Sequence, residues 1–153
     1  MRFWDYILAL LVPIIWGLGF AFAKAGLSEF PPLFLMGMRF SLAALTLAWF
    51  VSYPRGHLRK IFWIALVGST IQYGLTFTGL SMIDASLAVI IIQLEVPFGV
   101  LLAAIVFQER PGMQRIFGIF LAFGGIILLV GQPSLEGQIF AMFLTGSGAF
   151  MWA

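Results

Sequence analysis

The feature that most constrains this chain is a series of five long apolar segments, at residues 5–25, 32–52, 61–81, 86–107 and 113–131. A membrane-spanning α-helix needs about 20 apolar residues to cross the hydrocarbon core of a bilayer. Each segment has about that length, so the spacing predicts five transmembrane helices. A sixth segment begins near residue 138 and breaks off at Ala153 without a polar flank. We expect it to be the truncated start of another span.

The composition supports a membrane environment. Hydrophobic residues make up 62% of the chain and charged residues only 9%, whereas a soluble domain carries about 25% charged residues. A chain of this length cannot cover so much apolar surface by folding on itself, so lipid must solvate much of it. We therefore predict an all-α, polytopic membrane protein with five transmembrane helices and a truncated sixth.

The basic residues of the connections lie on one side of the predicted bundle. Arg2 precedes the first segment, Arg55, Arg59 and Lys60 follow the second, and Arg110 and Arg115 follow the fourth. The connections at residues 27–31, 82–85 and 132–137 carry no Lys or Arg. Because loops rich in Lys and Arg face the cytoplasm, we predict a cytoplasmic N-terminus.

The odd number of complete spans has a consequence for symmetry. A second unit that begins with the sixth segment would cross the membrane in the opposite direction to the first. This inverted-repeat plan is typical of many secondary transporters. Trp152 in the sixth segment corresponds to Trp16 in the first, which agrees with such a repeat.

The connections contain residues that mark helix boundaries. Pro32 suits the first turn of the second helix, where its missing N–H would be unpaired anyway. Asp84 is a candidate N-cap for the fourth helix. Pro111-Gly112 and residues 132–134 predict turns.

Two charged residues lie well inside the predicted spans, where a charge costs about 2.5–3.5 kcal/mol on insertion scales. At a rise of about 1.5 Å per residue, Arg39 lies roughly 10 Å, and Glu95 roughly 13 Å, below the outer end of its helix. Opposite charges at matching depth can form an ion pair. Two interpretations remain open: a static pair that fixes helix packing, or two groups that line a substrate path.

Other polar residues occur at a comparable depth. The candidates for lining a substrate path are Trp16, Arg39, Gln72, Tyr73, Gln93 and Glu95. Gln93 lies two residues before Glu95 and therefore on a different face of the helix. Pro97 lacks the N–H that would bond the Gln93 carbonyl, so we predict a helix break with a free acceptor beside Glu95.

Three further features are interpreted as structural. The ammonium group of Lys24, near the outer end of the first segment, is expected to extend to the outer membrane interface. Glu109-Arg110, at the cytoplasmic end of the fourth span, is expected to be either an interfacial anchor or a partner for Arg115. Gly118, Ala122 and Gly125 form a stripe of small residues in the fifth segment, which predicts a packing face.

The sequence contains few of the residues and motifs that enzymatic catalysis requires. The single histidine, His57, lies in a predicted loop, and the chain contains no cysteine. The sequence has no H-E-x-x-H zinc motif, no G-x-S-x-G nucleophile motif and no phosphate-binding glycine motif followed by Lys. We therefore expect no enzymatic activity, no cofactor and no metal site.

One set of short motifs runs along the whole chain. It consists of Asp5-Tyr6, Ile15-Trp16-Gly17-Leu18, Lys24, Pro31-Pro32, Met38-Arg39-Phe40, Ala85-Ser86-Leu87-Ala88, Pro97, Glu109-Arg110, Gly118 and Gly124-Gly125-Ile126. In their order and spacing these motifs resemble those of EamA-type transporters of the drug/metabolite transporter superfamily.

The resemblance implies a ten-helix protein of the bacterial inner membrane, built from two inverted five-helix repeats, that exports amino acids and related metabolites. Residues 1–131 would form the first repeat, and residues 132–153 the connection and the truncated start of the second. The chain departs from many relatives at Gly19, where they carry Asn, so the polar lining of the first helix is thinner. Glu95 is not general in the family, which makes it a candidate for specificity or proton coupling.

Together these observations predict a membrane transporter that exports small metabolites such as amino acids or their derivatives by alternating access. Its expected partners are the lipid bilayer, a small-molecule metabolite, and either a C-terminal repeat or a second copy of this chain. No nucleic acid is expected, because the basic residues lie in loops between spans. Two alternatives remain: a scaffold or assembly subunit that only packs in the membrane, and a short-chain transporter of the multidrug type that works as a dimer.

Overall fold

The computed structural model describes residues 3–51, 56–108, 110–131 and 137–153, and its regular elements are helices. They are α1 (Phe3–Gly26), α2 (Pro32–Leu47), α3 (Leu58–Ala65), a π-helical segment (Leu66–Ile71), α4 (Gln72–Met82), α5 (Ala85–Ile92), α6 (Glu95–Val106), α7 (Met113–Val130) and α8 (Ile139–Trp152). The predictions made for Arg2, Arg55, Glu109 and the turn at residues 132–134 concern residues outside these ranges.

The prediction of a polytopic helical membrane protein is confirmed. Four helical stretches are long and apolar enough to cross a membrane: Asp5–Gly26, Leu58–Met82, Ala85–Val106 and Met113–Val130. The second and sixth segments form the shorter apolar helices Pro32–Leu47 and Ile139–Trp152. The second helix thus ends before the predicted boundary at residue 52, in a turn where the Phe50 N–H donates to the Leu47 carbonyl at 2.9 Å.

The predicted starts of the second, fourth and fifth segments agree with the first residues of α2, α5 and α7 to within one residue. Pro32 is the first residue of α2, and Gly112 precedes α7 in an extended conformation. Asp84 occupies the N-cap position of α5, but its side chain makes no capping hydrogen bond. The helix therefore begins at the predicted place without the predicted contact.

The hydrophobic core lies at one end of the bundle. We call it the Lys24 end; it contains the last turns of α1 and α4 and the first turns of α2, α5 and α8. The opposite end, which contains Arg59 and Arg115, is the Arg59 end. The buried apolar residues are Ala23, Met36, Phe77, Leu80, Ile83, Leu87, Ala88, Ile91, Ile92, Leu94, Ala141, Met142 and Ala149. Among the described residues of α3, the π-helical segment and α7, none is buried.

The core is organised around a close crossing of α4 and α8. A Cβ atom added to Gly79 would meet Thr145 Oγ1 and lie 3.0 Å from the Thr145 backbone nitrogen; one added to Gly148 would meet Thr76 Oγ1 and lie 3.1 Å from the Thr76 nitrogen. Each helix thus presents a T-x-x-G pair to the other, in antiparallel register. Glycine is required at both places because small residues allow helix backbones to approach closely.

Lys24 joins α1 to this core. Its ammonium group donates hydrogen bonds to the backbone carbonyls of Leu80, Ser81 and Ile83 at 2.8, 3.1 and 2.8 Å. The position of Lys24 relative to the membrane interface stays a prediction, and the structure adds these contacts with the end of α4. The last carbonyls of α4 lack helical partners and carry partial negative charge, which makes them good acceptors for a cation.

Two members of the small-residue stripe of α7, Gly118 and Gly125, face open space in the described chain. A Cβ atom added to Gly118 or Gly125 would meet no other atom within 4 Å. The packing role of this stripe stays a prediction.

Candidate functional site

A cavity of about 270 Å³ lies between α1, α2, α4, α8 and the junction of α5 with α6. We call it the central cavity. Its lining residues are Ile15, Trp16, Gly19, Phe20, Arg39, Gln72, Tyr73, Thr76, Phe77, Ile92, Glu95 and Trp152. Its wall therefore combines aromatic and aliphatic surface with a few polar groups, as small-molecule sites usually do.

Most of the sequence-predicted path residues come together here. Trp16, Arg39, Gln72, Tyr73 and Glu95 all line the central cavity. Gln93 does not: it lies in the turn between α5 and α6, and its side chain is exposed. Gln93 is excluded from the cavity because it lies two positions from Glu95 and therefore on another face of the helix, as the sequence predicted.

The π-helical segment sets the position of Gln72 and Tyr73. It ends at Ile71, so Gln72 is the first residue of α4. A π-helical turn contains more residues than an α-helical turn and rotates the following residues about the helix axis; such turns are frequent at functional sites. The apolar pattern of the sequence contains no signal for this segment, and the prediction of a regular third helix missed it.

Aromatic contacts stiffen one wall of the cavity. The ring of Tyr73 meets that of Phe40 edge to face, with centroids 5.0 Å apart, and stacks on that of Phe77 at 5.6 Å. Phe77 stacks in turn on Phe20 at 6.2 Å. Offset and edge-to-face pairs of this kind stabilise more than their buried area alone provides. This wall connects α1, α2 and α4.

The cavity has one charged group of each sign on its wall, Arg39 and Glu95. Within the part of the chain that the structure describes, no ion pair joins them. The static salt bridge considered from the sequence is therefore not formed in this structure. Both groups remain available to a molecule in the cavity.

The helix interruption near Glu95 differs from the prediction. Regular helix stops at Ile92 and resumes at Glu95, ahead of Pro97. The Gln93 carbonyl accepts a hydrogen bond from the Val96 N–H at 3.2 Å. The predicted free acceptor is therefore absent, because a tighter turn takes up the carbonyl that Pro97 cannot pair. Glu95 is left in the first turn of α6, where the helix dipole favours a negative charge.

Gln72 is the most deeply buried polar residue with unmet hydrogen-bonding capacity on this wall. Its side chain is 7% exposed. Its Nε2 donates to Thr76 Oγ1 at 3.3 Å, whereas its Oε1 is buried and has no partner. The sequence placed Gln72 at the right depth but contained no signal for the unpaired oxygen.

A second cavity, of about 410 Å³, adjoins the first. Glu95 and Trp152 line both, and the second cavity continues along α6 to Pro111 and Arg115 at the Arg59 end. Glu95 and Trp152 therefore lie at the boundary between an inner space and a space that leads to one end of the bundle. Among the described residues, no group of His, Cys, Asp or Glu could hold a metal ion.

The chain is similar to known transporter proteins. The profile of the EamA-like transporter family matches residues 3–131. A protein of Escherichia coli named probable amino-acid metabolite efflux pump is 38% identical over 97% of this chain and 51% of its own length. A Salmonella typhimurium protein of the same name is 39% identical over the same shares, and an uncharacterized transporter of Archaeoglobus fulgidus is 32% identical over 97% of this chain and 54% of its own.

The chain thus spans about half the length of the curated relatives it matches. No solved structure matches it.

Proposed function

Because this chain belongs to the EamA-like transporter family, we propose that it takes part in the export of small metabolites, such as amino acids or their derivatives, across the bacterial inner membrane. Two of its relatives are named probable amino-acid metabolite efflux pumps. The observation that carries the proposal is the central cavity with an unpaired cation and anion on an otherwise aromatic and apolar wall.

The charges of the cavity favour a zwitterionic substrate. The Arg39 guanidinium attracts a carboxylate, with which arginine forms strong charge-assisted hydrogen bonds. The Glu95 carboxylate meets an ammonium group or carries a proton. Each charge inside a membrane is costly without a partner, so a bound zwitterion lowers the cost of both.

The difference between the two ends supports alternating access. The Lys24 end is closed by the core and by the hydrogen bonds of Lys24 to α4. The second cavity leads from Glu95 toward Arg115 at the opposite end. The distribution of Lys and Arg predicts a cytoplasmic Arg59 end, so this arrangement corresponds to a state that takes up substrate from inside.

A second helical unit completes the path in this proposal. Most side chains of α1 and many of those of α7 are exposed, and they are apolar enough to pack against further helices as well as lipid. Either a C-terminal repeat of opposite orientation or a second copy of this chain provides that unit. Residues 1–131 form the first repeat.

Counterflow in proteoliposomes tests the proposal whatever the energy source of transport is. The protein, purified as it occurs in its membrane, is reconstituted, the vesicles are loaded with unlabelled amino acids, and entry of each of the twenty ¹⁴C-labelled proteinogenic amino acids is measured. We expect exchange of at least one. Exchange of none would contradict the proposal.

Glu95→Gln separates transport from a scaffold role. We expect it to abolish the pH dependence of transport and to leave the protein in the membrane, because the amide keeps the shape of the side chain but cannot titrate. Arg59→Gln, which also removes one charge but lies outside both cavities, is the matched control. A scaffold predicts instead that Arg39→Ala and Glu95→Ala lower protein abundance together, and that the double variant is no worse than either.

A further inference from the structure

The amide of Gln72 has an environment unlike that of the other polar groups in the cavity. It lies on the wall at the crossing of α4 and α8, with Nε2 bound to Thr76 Oγ1 and Oε1 buried without a partner. Buried polar groups in native proteins are nearly always paired. An acceptor left unpaired at a cavity wall therefore indicates a donor that enters the cavity.

The packing of α8 limits what can approach Gln72 from one side. A Cβ atom on Gly148 would lie 3.1 Å from the Gln72 carbonyl oxygen and from the Thr76 nitrogen. The backbone of α8 thus covers this side of α4 at close range, and Gly148 has no side chain to offer a donor. The remaining approach is from the cavity that Gln72 lines.

We propose that Gln72 is a specificity-determining residue that accepts a hydrogen bond from the ammonium group of the substrate. The inference rests on the proposed function and deepens it. Of the two charged ends of an amino acid, the carboxylate has no donor and is matched to Arg39. The ammonium has three donors, and Gln72 Oε1 and the Glu95 carboxylate are the acceptors that suit it.

This arrangement divides the recognition of the ammonium between two residues. Glu95 provides charge, which attracts any cation, whereas Gln72 provides a directed neutral acceptor held in place by Thr76. A site built to hydrogen-bond a substrate group rejects an analogue that lacks it, because the buried partner is then left unpaired. The cavity is therefore expected to reject deaminated carboxylic acids of the same carbon skeleton.

The test compares Gln72→Met with Gln138→Met in the counterflow assay. Methionine keeps the length of the side chain and removes the amide. Gln138 is the matched control, since its Oε1 is also buried without a partner, but it lies at the start of α8 and does not line the central cavity. The probes are the amino acid exchanged fastest by the unaltered protein, its deaminated acid and its amide; for L-alanine these are propionate and L-alaninamide.

We expect Gln72→Met to raise the half-saturation concentration of the amino acid and the inhibition constant of its amide about ten- to a hundredfold, the usual effect of losing a hydrogen bond to a charged group. The inhibition constant of the deaminated acid should change by less than about twofold, because that acid has no ammonium to lose. Gln138→Met should leave all three constants unchanged.

Each other outcome overturns the inference. An equal loss for all three probes would show that Gln72 supports the fold or holds a water molecule, and no loss would show that it does not touch the substrate. Either result leaves the proposed function intact, whereas absence of counterflow in the unaltered protein contradicts the function itself. If Gln72→Met does not accumulate, Gln72→Glu keeps an acceptor and must retain the preference for the amino acid over its deaminated acid.

Discussion

The two ends of the bundle differ in packing although the same kind of apolar helix builds both. At the Lys24 end, the T-x-x-G pairs of α4 and α8 bring two backbones together, and Lys24 pairs the last carbonyls of α4. At the Arg59 end, large side chains such as Phe62, Phe107 and Phe117 are exposed. The difference shows that apolar character alone does not close a membrane bundle, because lipid solvates apolar side chains as well as protein does.

The same difference locates the functional groups. Arg39, Gln72 and Glu95 lie where the packed end gives way to the open one, on the wall of the central cavity. Under the proposed function, a packed end on one side and a space that leads outward on the other is the arrangement expected of a substrate path. Substitutions that alter one end at a time test this difference.

The largest effect is expected from Gly148→Ala at the packed end. The new methyl group would meet Thr76 Oγ1, and overpacking of this kind costs about 1–3 kcal/mol in the free energy of unfolding. We expect a lower melting temperature in detergent and less protein in the membrane. Thr76→Ala in the same chain should recover part of the loss by making room.

Gly118→Ala in α7 is the control for this substitution, because no atom lies within 4 Å of its added Cβ in the described chain. An alanine in a helix interior is more stable than glycine by about 0.5–1 kcal/mol. Equal destabilisation by Gly148→Ala and Gly118→Ala would contradict the assigned crossing.

A smaller effect, confined to the Lys24 end, is expected from Lys24→Met. The variant removes three hydrogen bonds from an ammonium group to the end of α4, but these bonds are only partly buried, so water can pair part of the carbonyls that Lys24 leaves. Because the chain contains no cysteine, a single Ser81→Cys substitution reports on this end through its rate of maleimide labelling. We expect labelling to be faster by about tenfold or more.

Lys60→Met removes an ammonium from the Arg59 end and serves as the control. It should leave the labelling rate of Ser81→Cys unchanged. If Lys24→Met also leaves the labelling rate unchanged, the hydrogen bonds of Lys24 do not hold the end closed. The difference between the two ends would then depend on the crossing of α4 and α8.

The smallest effect is expected from Gln93→Met. Gln93 is exposed and lies outside the central cavity, and substitutions at such positions usually change free energies by less than about 0.5 kcal/mol. The half-saturation concentration in counterflow should therefore stay within about twofold of the unaltered value. A change as large as that expected for Gln72→Met would show that the substrate path is wider than the central cavity.

The sequence predicted which residues line the candidate site as far as this depends on the depth of each residue along its helix. Trp16, Arg39, Gln72, Tyr73 and Glu95 lie at one level of their helices, and helices that cross a membrane bring equal depths together. The face on which each residue lies, and the register between neighbouring helices, were harder to predict from the sequence. The exposed position of Gln93 follows from helix geometry, but the π-helical segment before Gln72 depends on packing that no short pattern encodes.

The role of Lys24 shows the same limit. From the sequence, a lysine near the end of an apolar helix is expected to reach the interface. The structure pairs it with three carbonyls at the end of a helix that lies more than fifty residues later in the chain, and the sequence contained no signal for these contacts. Only the assembled bundle brings the end of α1 beside the end of α4.

The sequence by itself determined the class of the protein, the approximate positions of the apolar segments and the depth of the polar residues, because these follow from hydrophobicity summed along one segment at a time. The tertiary structure decided which groups meet: the crossing of Gly148 with Thr76, the three carbonyls at Lys24, and the unpaired oxygen of Gln72. These depend on the distance and rotation between helices, which are set by contacts between residues far apart in the chain.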